Sequence, residues 1–458
     1  MQNNPVPSNK IYTYVFLPVF LTLVVSAIVN IQLFQDGGSY LFEILQMKSA
    51  AIRHNRISVV LIQLPTIFLI KVLGKFFGGV NDHLSIIRIV FSLSYSMVPL
   101  LSLLLSWLVV RKRNEGLFVW AAIIILFINL VNFSGVSELL ISLQLSCPLM
   151  LASILIPRTR FFWLLIGTLL PFIFFLHPLV VVLFVTMAVG IVYVGYKKPE
   201  KKTATRQIAT ILIAAAILKL ILNIYSLTTY ETSFLETKGM NEYILETSIE
   251  NKILLLISLL IGTGILIGKY QLKFKRIASI FIPVQRVYFL FMLLAVIAGF
   301  LLVFQYSYRE FPLKTGLSTL ASLTVLLMMA FDSVEKTIDI ETIHRLRLTT
   351  VLAIIFSLVV ASKAFIWQSS IHKLRQTILK SESACLELNT ENFKWLDTNP
   401  YKIINTWALP SLALIEQDIQ PRKLLLEKGS CKIYQDSSLV KFDEWTLMPK
   451  KYVTPTIQ

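Results

Sequence analysis

Cysteine is scarce in this chain of 458 residues: there are three. Cys147 sits inside an apolar run, while Cys385 and Cys431 lie in a polar C-terminal stretch. No CxxC pair or Cys/His cluster offers a metal site. Charge is scarce too. Charged residues make up 15% of the chain, against about 25% in soluble domains. A Walker loop, GxGxxG, HExxH and GxSxG are all missing. Nucleotide hydrolysis, zinc proteolysis and nucleophile-elbow hydrolysis therefore have no support. There is no internal repeat and no long low-complexity segment.

What fills the chain instead is apolar. Hydrophobic residues reach 55% and the mean hydropathy is +0.71. Ile11 to Phe34 carries no charge, and about 20 apolar residues suffice to cross a bilayer. The run is too long for a cleaved signal peptide, and no small-residue cleavage site precedes Asp36. The formal net charge is +17. Its basic residues cluster in short loops: "RKR" at 111–113, "PRTR" at 157–160, "KKPEKK" at 197–202 and "KFKR" at 273–276. Such loops face anionic lipid on the cytoplasmic side, so the charge argues for membrane lipids as partners and against nucleic acid.

Apolar length and Lys/Arg bias predict an all-α polytopic membrane protein. Crossings are expected at 11–34, 86–110, 117–132, 138–156, 161–176, 178–196, 207–226, 251–268, 285–304, 313–331 and 348–367. That is eleven crossings, with the N-terminus inside and the C-terminus outside. Residues 1–367 form the transmembrane domain, with a first outer loop at 35–85. Residues 368–458 form a small extracytoplasmic domain. Ile57 to Gly74 is apolar enough to cross, but counting it would place the basic loops or Asp36 on the wrong side. It also carries Gln63, Pro65 and Lys71. It is read as an interfacial or re-entrant helix. The tail segments "WALPSLALIEQ" and "RKLLLEKGSCKIYQ" suggest strands. Outside the cell Cys385 and Cys431 meet an oxidising space, where a bridge and two free thiols are both open.

The threading gathers Asp36, Glu43, Arg53, His54, Arg56, His83, Glu138 and His177 on the outer side, with the acidic loop at 228–251. "QDGGSY" places Asp36 just past the first crossing, on what reads as a flexible turn. Gly37 and Gly38 allow a close backbone approach. Tyr40 and Phe42 supply aromatic surface. Arg53, His54 and Arg56 form a cationic group before an apolar helix. A lipid-linked phosphate substrate needs a base, cations for the phosphate and a greasy groove. Each residue also has a plainer reading. An acid outside a helix is usually solvated, and cations there often anchor to headgroups. Glu138 at a helix entrance also reads as a complement to the positive helix end. His177-Pro178 can be just a turn.

On these residues the layout resembles the GT-C superfamily of membrane glycosyltransferases, which includes protein O-mannosyltransferases and aminoarabinose transferases. Asp36 in "QDGGSY" matches the position of the acid that acts as base there. "RISVVLIQLPTIFLIKVLG" matches the juxtamembrane piece, and "SIIRIVFSLSYSMVPLLSLLLSWLVVRKR" resembles the crossing that follows. Glu138 resembles the second outer acid. Many members set another acid close to the first; here "DGGSYLFE" puts Glu43 seven residues later. The likeness covers the first 200 residues by layout and the rest loosely.

The resemblance implies an inverting transferase in a bacterial cytoplasmic membrane. It would move a sugar from a polyprenyl-phosphate donor to an extracytoplasmic glycan, lipid or protein acceptor. Asp36 and Glu138 are the expected catalytic acids. Arg53, His54, Arg56, His177, Tyr40 and Glu43 are the expected substrate contacts. No cofactor and no metal are expected. The rivals are a transporter or flippase without chemistry, and a polysaccharide polymerase or ligase for envelope glycans. Transporters often carry charges near mid-membrane; here Lys219 is read as the main charge inside a span.

Overall fold

The computed structural model describes residues 11–34, 36–53, 55–76, 81–131, 136–225, 318–335, 342–388, 393–395, 408–417, 423–426, 431, 439–441 and 447–449. These residues are mostly helical. The helices are α1 (Leu17–Ile28), α2 (Asp36–Met47), α3 (Val59–Phe76), α4 (Leu84–Val110), α5 (Phe118–Val131) and α6 (Glu138–Leu155). There follow α7 (Arg160–Phe174), α8 (Val180–Lys197), α9 (Lys202–Tyr225), α10 (Ser318–Glu335), α11 (Thr342–Lys380) and α12 (Leu409–Ile415).

Among the described residues, six helices are long and apolar enough to cross a membrane. They are Val59–Phe76, Leu84–Val110, Glu138–Leu155, Val180–Lys197, Pro199–Tyr225 and Ile343–Lys380. Tyr12–Ile28, Glu115–Asn129, Arg160–Phe174 and Ala321–Val334 are apolar but shorter. The expected crossings at 251–268 and 285–304, and the acidic loop at 228–251, lie outside the described residues. The other nine expected crossings fall on helices, and α3 occupies the segment read as interfacial.

Three boundaries differ from expectation. The first apolar run is not one helix to Phe34. Asn30 takes a left-handed φ of 61°, a conformation that ends helices, and a 3-10 turn at Ile31–Leu33 follows. At the other end, α11 does not stop near Trp367; it runs on to Lys380. The third concerns the tail. Residues 409–415 form a helix rather than a strand, with Pro410 in its first turn, where a missing N–H costs nothing. Leu424–Leu426 is a strand as expected, paired in parallel with Cys385–Glu387. Leu439–Lys441 and Leu447–Pro449 form a separate antiparallel pair.

The chain divides into two compact units. The first holds 1–12, 101–131 and 139–352; the second holds 13–100, 132–138 and 353–458. In the first unit, Gly190 on α8 lets Met150, Ala330 and Leu327 approach closely: a Cβ there would lie 2.7 Å from the Met150 methyl. Asp332 on α10 is buried. It accepts from Trp120 Nε1 at 3.0 Å and from both terminal nitrogens of Arg345. Lys198 and Lys201 donate to the Ser333 and Ile154 carbonyls at 2.7 and 2.9 Å. These basic residues thus also complete helix ends, beyond their role as loop charge.

The second unit ties the tail to α2 and the end of α1. α12 packs against α2. Lys423 donates to the Ile378 and Leu379 carbonyls, both at 3.1 Å, and to Ser381, capping the end of α11. Trp367 Nε1 donates to the Val29 carbonyl at 2.9 Å. Cys385 and Cys431 form a disulfide with their Cα atoms 5.8 Å apart. Non-reducing mass spectrometry of the native protein should therefore recover the two peptides linked. Free thiols at both positions would contradict the bridge.

Candidate functional site

Asp36 does not sit on a flexible turn. It opens α2, where a carboxylate complements the positive helix end. The two glycines are needed for another reason than turning. A Cβ on Gly37 would lie 1.7 Å from the Gln32 carbonyl oxygen, and one on Gly38 would lie 2.8 Å from that of Leu33. The chain folds back so tightly from the 3-10 turn into α2 that no side chain fits. Gly38 also receives the tail: its Cβ position is 3.7 Å from Leu412 Cβ.

Once α2 is a helix, its 3.6-residue period puts Asp36, Tyr40 and Glu43 on one face. The chain then returns across that face between α2 and α3. Arg53 donates through Nε to Glu43 at 2.9 Å and through Nη2 to Ser39 at 2.7 Å. Its guanidinium lies 5.2 Å from the Tyr40 ring centroid. Arg56 Nη1 donates to Glu138 at 2.8 Å. The Tyr40 hydroxyl donates to the other Glu138 oxygen. Glu138 heads α6 with 2% of its surface exposed. Its carboxylate thus does more than complement a helix end: it joins α2 to the Arg56 loop.

The electrostatics fix the roles. Burial, then the Glu138 carboxylate, hold the Tyr40 phenol well above its ordinary range, so it stays a donor. Burial opposes the charge on Arg56, yet the Glu138 carboxylate, with Asp36, more than offsets it and the guanidinium is held above its ordinary value. Burial acts on Arg53 in the same way and is offset first by Glu43. Asp36 is half-buried, and its charge acts on all three of these groups. Arg56 Nε is buried and makes no hydrogen bond.

The structure thus gathers Asp36, Tyr40, Glu43, Arg53, Arg56 and Glu138 in the second unit. His54 lies outside the described residues. His177 belongs to the first unit, where its Nδ1 accepts the Leu179 N–H at 3.2 Å at the head of α8. Among the described residues, no group of three His, Cys, Asp or Glu side chains is placed to hold a metal ion.

Two charged groups inside helices went unread in the sequence. Arg88, 2% exposed on α4, donates to the Ile415 carbonyl at 2.6 Å and faces Glu416 at 3.8 Å. Lys363, also 2% exposed, is buried within α11. Lys363 thus joins Lys219 as a charge carried well inside a long apolar helix. A lone ionisable residue in an apolar helix signals a partner elsewhere; "SIIRIVF" and "VVASKAF" carried that signal.

Comparison of the chain with family models, with curated proteins and with solved structures finds no match.

Proposed function

We propose that the chain is a multi-pass glycosyltransferase of the GT-C kind. It moves a sugar from a polyprenyl-phosphate donor to an extracytoplasmic acceptor. The observation that supports this best is the convergence on one helix face of a half-buried carboxylate, Asp36, with two guanidiniums, Arg53 and Arg56. In the reaction, Asp36 takes the proton of the acceptor hydroxyl. The acceptor oxygen forms a bond to the anomeric carbon as that carbon's bond to the phosphate oxygen breaks. The electron pair leaves with polyprenyl phosphate, where positive charge lowers the barrier. Arg56, with Nε free of any hydrogen bond, is the nearer fit for that oxygen. Glu138 and Tyr40 act by positioning Arg56, since the Glu138 carboxylate is taken up by both. Arg53, Glu43 and Ser39 hold the returning loop. His54 remains a proposed contact to acceptor or sugar.

This reading places Asp36 and the tail outside a bacterial cytoplasmic membrane, with eleven crossings, α3 at the outer interface and the tail as an extracytoplasmic cap. The disulfide supports that side for the tail, because such bonds persist in oxidising compartments. The basic loops support the opposite side for 111–113, 157–160 and 197–202. Reporter fusions after Arg113 should therefore read cytoplasmic and fusions after Lys380 extracytoplasmic. A cytoplasmic tail would overturn the threading and the site with it. Transport without chemistry is distinguished by offering purified protein a lipid-linked sugar and asking whether the sugar–phosphate bond is cleaved.

A further inference from the structure

Gln63 is a polar residue in the apolar run from Ile57 to Gly74. It lies in the second turn of α3 and is fully buried. Its amide is fully engaged. Oε1 accepts the Ala51 N–H at 2.9 Å, and Nε2 donates to the Ala51 carbonyl at 3.1 Å and to the Tyr95 hydroxyl at 3.4 Å. One side-chain amide thus pairs both backbone groups of a single residue, as a neighbouring strand would.

Ala51 needs such a partner. It is fully buried, in a stretch at 50–53 that is neither helix nor strand. A buried backbone N–H and C=O must be paired, and here no ladder supplies the bonds. Asn and Gln present an amide donor and an amide acceptor side by side; Leu or Met at 63 would fill the space and pair neither group. Arg53 follows Ala51 by two residues, and the Arg56 N–H donates to the Arg53 carbonyl at 3.0 Å. The two arginines therefore share one turn of backbone, fixed on its N-terminal side at Ala51. Their side chains are fixed at the far end, Arg53 on Glu43 and Ser39 and Arg56 on Glu138.

We propose that Gln63 is a positioning residue: through the Ala51 backbone it sets where the Arg53 and Arg56 guanidiniums stand. Its part in catalysis rests on the sugar-transfer reading, in which Arg56 meets the departing phosphate; its part in placing the guanidiniums does not. A guanidinium bonded only at its tip can pivot about its carboxylate, and anchoring the backbone removes that freedom. A misplacement of about 1 Å near a reacting group can cost about 10²-fold in rate, so a lost anchor two residues from Arg53 is felt at the site.

The test uses the purified full chain in detergent, with Gln63→Leu and Gln63→Glu. An arginine-directed dicarbonyl reagent, read by mass spectrometry, follows Arg53 and Arg56, while the buried Arg88 reports general loosening. In Gln63→Leu, Arg53 and Arg56 should be labelled several-fold faster than in the native protein, with Arg88 still protected. Unchanged rates, or faster labelling only together with Arg88, overturn the proposal. A native protein that transfers no sugar would remove the transferase reading and leave this labelling to decide the placement. Where transfer is seen, Gln63→Leu should lower kcat/KM for the lipid-linked sugar by about 10²-fold. Gln63→Glu both donates and accepts, as the amide does, only when protonated. Its activity relative to the native protein should therefore rise as the pH falls, whereas that of Gln63→Leu stays level; a side chain that merely filled space would show no such recovery. Native transfer by Gln63→Leu, or a ratio for Gln63→Glu as low and as level as that of Gln63→Leu, overturns the proposal.

Discussion

Asp36→Asn should reduce sugar transfer by about 10²–10⁴-fold, the usual contribution of general acid–base help, while expression and unfolding midpoint stay at the native level. Asn keeps the size and the helix-opening position and removes only the base. Asp36 is half-buried at the first residue of α2, and the neighbouring guanidiniums keep their bonds to Glu43 and Glu138 when its charge is removed. The rate should be read with donor in excess, so that a change in donor affinity is separated from a change in chemistry. Arg56→Lys gives the companion measurement. It keeps a positive charge but loses the planar fork that reaches Glu138. Full transfer by Asp36→Asn would leave Asp36 as a helix-opening acid and remove the base from the account.

The second large effect is on stability. Glu416 follows α12, is 1% exposed, and accepts from Arg375 Nε at 3.0 Å and from its Nη2, with Arg88 at 3.8 Å. Glu416→Gln leaves the buried Arg88 and the neighbouring Arg375 without their counter-charge. Breaking a buried pair from one side costs about 3–5 kcal/mol. The unfolding midpoint in detergent should fall accordingly, and protease should cut the tail sooner. The double change Arg88→Met with Glu416→Leu removes the buried charges together, and it should recover much of the loss. A midpoint unchanged by Glu416→Gln would mean that the tail is not held by this cluster. The tail matters to the site because α12 packs on α2, with Leu412 against Gly38.

Much of the architecture could be read from the residues, because apolar runs of the right length have few outcomes. The site was readable in part. Asp36, Arg53 and Arg56 stand close in sequence just past the first apolar run, and Glu138 opens a helix. That Glu138 bonds Tyr40 across 98 positions and Arg56 across 82 left no local trace, since pairing between distant segments has no sequence period. Arg88 and the Ile415 carbonyl are 327 positions apart, and only the presence of an arginine in an apolar helix hinted at a partner. The glycines after Asp36 misled for a physical reason. Glycine marks turns and close backbone approaches alike, and here the tight approach to Gln32 decides. In α12, seven residues are too few for a helical period to stand out from strand-like alternation.

Bond cleavage at the outer face of the membrane is the step on which the proposed function stands. The most direct measurement uses the purified protein in lipid vesicles, given radiolabelled polyprenyl-phosphate sugars and candidate acceptors. Label should appear on the acceptor, with polyprenyl phosphate released in equal amount, and both should be lost in Asp36→Asn. Movement of intact lipid-linked sugar between leaflets, with the sugar–phosphate bond unbroken and Asp36→Asn fully active, would contradict it.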